Sequence, residues 1–90
     1  MGVIRRTGTL TCAPEAAEGV RAALPAHIRL SRAEPGCLSF DVTETAPGVF
    51  TVAESFADRA AFDAHQTRTR ASDWWQVTAH MTRDFELSEA

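Results

Sequence analysis

The stretch CLSFDVTETAPGVFTVAESF, Cys37 to Phe56, decides the fold. Leu38, Phe40 and Val42 alternate with Ser39, Asp41 and Thr43, the period of a strand with one dry face. Beyond Pro47 and Gly48 the pattern resumes, with Phe50, Val52, Glu54 and Phe56 set against Thr51, Ala53 and Ser55. Proline presets φ at the first central position of a type II turn, and glycine accepts the positive φ of the second. Two strands joined in this way make a hairpin. Glu54 is the acid on its otherwise apolar face.

Upstream, Val3 to Cys12 alternates loosely and is rich in threonine, which predicts a strand. APEAAEGVRAAL predicts a helix entered through Pro14, with Ala17, Val20 and Leu24 as its buried stripe. Pro25 predicts a kink or a restart, after which AHIRLSRA turns Ile28 inward and EPG, Glu34 to Gly36, ends the helix. Downstream, Asp58 is an expected N-cap for a helix that presents Ala61, Phe62 and His65 on one face. Ser72 or Thr69 caps a further helical stretch, ASDWWQVTAHM, whose inner stripe is Trp74, Val77 and Met81. RDFEL closes the chain as a strand.

This order predicts a single α+β domain over residues 1–90, a ferredoxin-like βαββαβ unit with a four-stranded antiparallel sheet and helices on one face. The opposite face would carry Thr7, Thr9, Ser39, Asp41, Thr43, Thr51 and Ala53. Those side chains are small and mostly uncharged. Either a second copy of the chain covers them or water does. A chain of this size buries roughly 60% of its unfolded surface, so a partner subunit would add appreciably to its core.

Composition excludes several functions. The net charge is −3, with nine arginines and no lysine. Scattered arginines outnumbered by acids argue against a nucleic-acid groove and against a polybasic membrane patch. No apolar run approaches the roughly 20 residues of a membrane span. MGVIRRTGTL lacks the apolar stretch of a signal peptide, and Arg6 stands where a myristoylation signal wants Ser or Thr. Cys12 and Cys37 have no metal-ligand spacing and are expected to be reduced thiols of a cytoplasmic protein. His27, His65 and His80 show no paired spacing, so no metal site is expected. Phosphate loops, nucleophile elbows and redox CxxC motifs are absent from the sequence.

RAEPGCLSFDVTE, followed by ESFADRAAFDAH, resembles the antibiotic biosynthesis monooxygenase (ABM) domain, a family that includes quinol monooxygenases. In that family an E-P-G-C turn leads into the second strand, a Glu and an aromatic end the third, and a D-x-x-A-(F/L)-x-x-H helix follows. Here these are Glu34 to Cys37, Glu54 with Phe56, and Asp58 to His65. The similarity runs from Ile4 to Leu87. It implies a homodimeric α+β barrel in which two sheets pack together. It also implies oxidation of phenols or dihydroquinones by O₂ without metal, flavin or other cofactor. The chain departs from relatives that place Asn and Tyr around the substrate, because it has neither. Haem-degrading relatives use an Asn, Trp and His set, which is incomplete here. Arg70 stands near where many members carry a second His.

Cofactor-free oxidation requires the substrate to become an anion, because the anion passes an electron to O₂ far more readily than the neutral phenol. The protein must take up a proton and then exclude water. His65 suits the first task, and a carboxylate at Glu54 across from it would orient the imidazole. Arg70 is a candidate for stabilising the anion. Phe40, Phe62, Trp74 and Trp75 are candidate walls for a small aromatic substrate. Each has a plainer alternative: His65 as a core histidine bonded to a carbonyl, Glu54 solvated or paired with Arg59, and both tryptophans as packing. His27, Arg29 and Arg32 read as a solvated helix face or an entrance, and His80 as a cation at a helix end. A same-fold isomerase, decarboxylase or cyclase would use the same pocket without oxygen. A non-catalytic dimer that binds a small ligand would not need His65 at all.

Overall fold

The structure, a computed structural model, describes residues 2–90. Strand β1 (Ile4–Thr11) leads through a single 3-10 turn at Pro14–Ala16 into helix α1 (Ala17–Arg32). The hairpin follows as β2 (Cys37–Ala46) and β3 (Val49–Phe56), then α2 (Arg59–Arg70), α3 (Asp73–Thr78) and β4 (Thr82–Glu89). The sheet is antiparallel in the order β2-β3-β1-β4. This is the ferredoxin-like arrangement the hydrophobic pattern implied.

The period-2 alternation sorts the sheet into two faces. Ile4 and Leu10 of β1, Phe40 and Val42 of β2, and Phe50, Val52 and Phe56 of β3 are buried beneath the helices. They join Ala17 and Val20 of α1, Phe62 of α2 and Trp74 of α3 in the hydrophobic core. Gly48 takes φ 79° between β2 and β3, as the type II turn requires. Gly36, with φ 84°, is held by space as well as by conformation, since a Cβ there would lie 2.5 Å from the Cβ of Ala61 on α2. The Glu34–Cys37 turn therefore packs directly on the second helix.

Three expectations need correction. Leu38 is not inward but 59% exposed. Cys37 pairs with Phe56 and Ser39 with the adjacent Ser55, so Leu38 is the extra residue of a β-bulge and leaves the alternation. Pro25 does not restart α1, because the helix is continuous from Ala17 to Arg32. Pro25 and Arg21 are both exposed, so water can reach the carbonyl that proline leaves without a donor. Helix α3 stops at Thr78, before Met81. Arg83 closes its C-terminal end by donating to the carbonyl oxygens of Thr78 (2.8 Å) and Met81 (3.2 Å).

The open face carries Thr7, Thr9, Thr51 and Ala53 at its centre, on the neighbouring strands β1 and β3. Arg5, Asp41, Asp84 and Glu86 add charge towards its rim, which is more than the small-residue pattern alone suggested.

Candidate functional site

Helix α2 positions His65. The Asp58 carboxylate accepts from the Ala61 amide at 2.8 Å and fixes the helix start. One face of the helix then buries Phe62 and His65. His65 is 1% exposed, yet both its ring nitrogens have polar neighbours. Nδ1 lies 2.7 Å from Oε1 of Glu34, in the turn that ends α1. The other oxygen of Glu34 accepts from Arg68 Nε, and Arg68 also donates to Ser31 Oγ at 2.9 Å. A carboxylate held by a guanidinium can only accept, so His65 Nδ1 is the donor, and in the neutral ring Nε2 is then the acceptor. Beside Nε2 lie Thr69 Oγ1 at 3.4 Å and Glu54 Oε2 at 3.9 Å.

Glu54 is 3% exposed. It faces Arg6, its register partner across the β1–β3 ladder, with Arg6 Nη2 at 2.7 Å from Oε1. That contact is an ion pair off the line of a good hydrogen bond, since Oε1 finds no hydrogen-bond partner among the described residues. Burial pushes the Glu54 carboxyl above the usual carboxylate range, opposed by the charges of Arg6 and His65. Arg59, the partner considered from the sequence, instead approaches Glu89 at 3.7 Å on the surface.

Between these residues and helices α1 and α3 lies a cavity of about 150 Å³. Phe40, Val42 and Val52 form its sheet wall, and Trp74 and His27 the wall opposite. Cavities of roughly this volume accept a single benzene ring. His27 is not a solvated or entrance residue. It is 5% exposed, stacks on Trp74 with ring centroids 4.7 Å apart and planes within 5°, and meets Phe40 edge-on. Burial, with the nearby positive groups at His65, Arg68 and Arg6, drives its pKa down to about 3. Arg70 and the half-buried Trp75 sit at the cavity's more exposed end with Arg83. Phe62 does not line the cavity; it packs on Phe56, with ring centroids 5.7 Å apart. Four buried polar atoms lack a hydrogen-bond partner among the described residues: Arg6 Nε, His27 Nδ1, Glu54 Oε1 and Gln66 Oε1. All four belong to residues that line this cavity.

Sequence reasoning therefore brings together His65, Glu54, Phe40, Trp74, Trp75 and Arg70, and misses Glu34, Arg68, Arg6 and His27. Some signals were present. Ala17, Val20, Leu24, His27 and Ser31 repeat at alternating spacings of three and four, the stripe of a buried helix face. Arg6 shares strand parity with Ile4 and Leu10. Glu34 opens the E-P-G-C turn but carries no local mark of its distant partner. Among the described residues no group of three or more His, Cys, Asp or Glu could hold a metal ion, and no helix is long and apolar enough to cross a membrane.

The sequence profile of the antibiotic biosynthesis monooxygenase family matches residues 3–82. The chain belongs to that family. A Deinococcus radiodurans protein, described as a candidate antibiotic biosynthesis monooxygenase, is 30% identical and superposes with a TM-score of 0.76 over 98% of this chain and 91% of its own. Rv0793 from Mycobacterium tuberculosis is 29% identical, with a TM-score of 0.70 over 98% and 92% of the two chains. A conserved Bacteroides thetaiotaomicron protein shares the fold more closely (TM-score 0.83, coverage 99% and 98%) at 18% identity. No curated protein matches the sequence.

Proposed function

We propose that the protein is a cofactor-independent monooxygenase of one-ring phenols or quinols, with His65 as general base. The observation that carries this reading is the Glu34–His65 pair, whose Nε2 edge adjoins Thr69 and Glu54, both lining a ring-sized cavity. A phenolic O–H placed at Nε2 gives its proton to the imidazole, and Glu34 holds the resulting cation in place. The phenolate passes one electron to O₂, and the radical pair combines at a ring carbon. For a hydroquinone the balance is one quinol plus one O₂ giving one hydroxyquinone and one water, so the substrate supplies all four electrons. Phe40, Val52 and Trp74 keep bulk water from the radical pair.

Dissolved-oxygen consumption with a panel of one-ring quinols and phenols tests the reading. Uptake by the native chain and a loss of about 100-fold or more in His65→Ala are expected. Turnover without oxygen uptake would move the protein to the isomerases or decarboxylases of the same fold, and equal uptake by the variant would remove His65 from the chemistry.

The active form proposed here is a cytoplasmic homodimer of a single 1–90 domain, formed through the open sheet face. The uncharged centre at Thr7, Thr9, Thr51 and Ala53 supports that pairing. Ala53→Arg puts a charge at this centre and is expected to halve the mass measured by light scattering. A monomeric native chain would sink the barrel.

A further inference from the structure

The charge around the cavity goes beyond what proton abstraction needs. The chain as a whole is net negative, at −3. Yet Arg6, Arg70 and Arg83 line this one cavity, against a single lining carboxylate, Glu54. Arg6 is engaged by Glu54. Arg70 and Arg83 have no carboxylate within ion-pair distance among the described residues. Arg83 is oriented rather than neutralised, because its partners are the carbonyls of Thr78 and Met81 and the Thr78 hydroxyl, all uncharged. Both guanidiniums lie against the ring of Trp75, Arg83 at 4.7 Å and Arg70 at 5.7 Å from its centroid. Two positive charges, that of Arg83 held by hydrogen bonds, thus share one rim of a cavity that holds one ring. Like charges brought together repel unless an anion joins them, and Arg83 already feels burial and the charges of Arg6 and Arg70.

We infer that the substrate is a one-ring phenol that also bears a carboxylate, and that Arg70, Arg83 and Trp75 form the subsite for that carboxylate. The inference rests on the cavity being the substrate site proposed above. The ring lies between Phe40 and the Trp74–His27 stack, its hydroxyl towards His65. The carboxylate then projects from the opposite edge to the arginine rim. Guanidinium donors match carboxylate oxygens in pairs, and the Trp75 ring holds both arginines in reach of them. A neutral quinol of the same size leaves both charges uncompensated.

Binding separates this inference from catalysis. Tryptophan-fluorescence titration would compare 4-hydroxybenzoate with its neutral isostere 4-hydroxybenzamide at pH 7.5, in low and in moderate salt. The acid is expected to bind at least tenfold more tightly than the amide, with a preference that shrinks as salt rises. Arg70→Gln and Arg83→Gln are each expected to reduce the acid-over-amide preference at least fivefold. Arg70 is exposed and has no hydrogen bond to lose, so its variant keeps the test valid should Arg83→Gln loosen the end of α3. Equal binding of acid and amide, no binding of either at millimolar concentration, or an unchanged preference in Arg70→Gln would overturn the subsite. Selective binding of the acid without oxygen uptake would leave the subsite standing and remove the oxygenase reading. Oxygen uptake with neutral quinols and no preference for the acid would do the reverse.

Discussion

Two imidazoles face the same cavity with ring centroids 6.0 Å apart, and the protein treats them in opposite ways. On the α2 wall, His65 has an acceptor for Nδ1 and two oxygen neighbours near Nε2, so both edges of the ring meet polar atoms. On the α1–α3 wall, His27 has no partner for Nδ1 among the described residues, lies flat on Trp74 and is driven neutral by burial. Residue type does not decide the role here; the neighbouring carboxylate does. Among the described residues Glu34 reaches His65 and no acid reaches His27, so the proposed base is the ring with a carboxylate, and the other is an aromatic surface with a polar edge.

The comparison can be broken at Arg6, whose charge bears on both walls. Arg6→Met leaves Glu54 buried without its cation and is expected to cost about 3 kcal/mol at pH 7. The Glu54 carboxyl is raised, so its folded-state penalty is absent below its unfolded value near 4.5 and grows as pH rises. Urea unfolding should accordingly find the deficit of the variant largest at pH 8 and smaller at pH 5. A deficit independent of pH would mean that Glu54 is not the group left exposed to the loss.

His27 makes the next largest contribution. Its folded pKa is depressed from 6.5 to about 3, so the unfolded chain takes up a proton more readily than the folded one. The stability it contributes is whole above pH 6.5 and drains as pH falls towards 3. Between pH 7 and pH 4 the loss amounts to about 3 kcal/mol. His27→Phe keeps the stack on Trp74 and removes the titration, so chemical denaturation of the variant should decline less steeply over that range. Parallel declines in the two proteins would show that His27 is protonated in the fold.

Glu34→Gln sharpens the contrast at smaller amplitude. The amide still accepts a hydrogen bond but no longer supplies a negative charge to the imidazolium. About a tenfold fall in kcat is expected for an active substrate. Because Glu34 does not line the cavity, KM should hold. A rise in KM with unchanged kcat would assign Glu34 to cavity shape instead of to His65.

Much of this was legible because it is written in short periods. The β2–β3 hairpin, the Asp58 cap and the inward direction of His65 follow from spacing within ten residues. What was hidden depends on contacts across distance. Glu34 lies 31 positions before His65 and 34 before Arg68, and no local pattern marks either meeting. His27 was obscured by a sound rule applied at a site that tolerates its violation: the break expected at Pro25 cut in two a stripe that in fact runs unbroken from Ala17 to Ser31. Leu38 left its face because one bulged residue shifts strand parity, and nothing in CLSF marks which residue is extra. The cavity itself is what the side chains leave unfilled, a quantity no linear pattern records.

The Glu34 turn has one more implication. Its backbone rests on α2 through Gly36, and its carboxylate grips two residues of that same helix from outside the cavity lining, so the support of the proposed base is anchored away from any guest. The apolar walls of the cavity come from elsewhere: Phe40 and Val52 from the sheet, Trp74 from α3. On the proposed function, substrate range and the support of the base are thus carried on separate parts of the scaffold, and mutation can reshape the first while the second stays put.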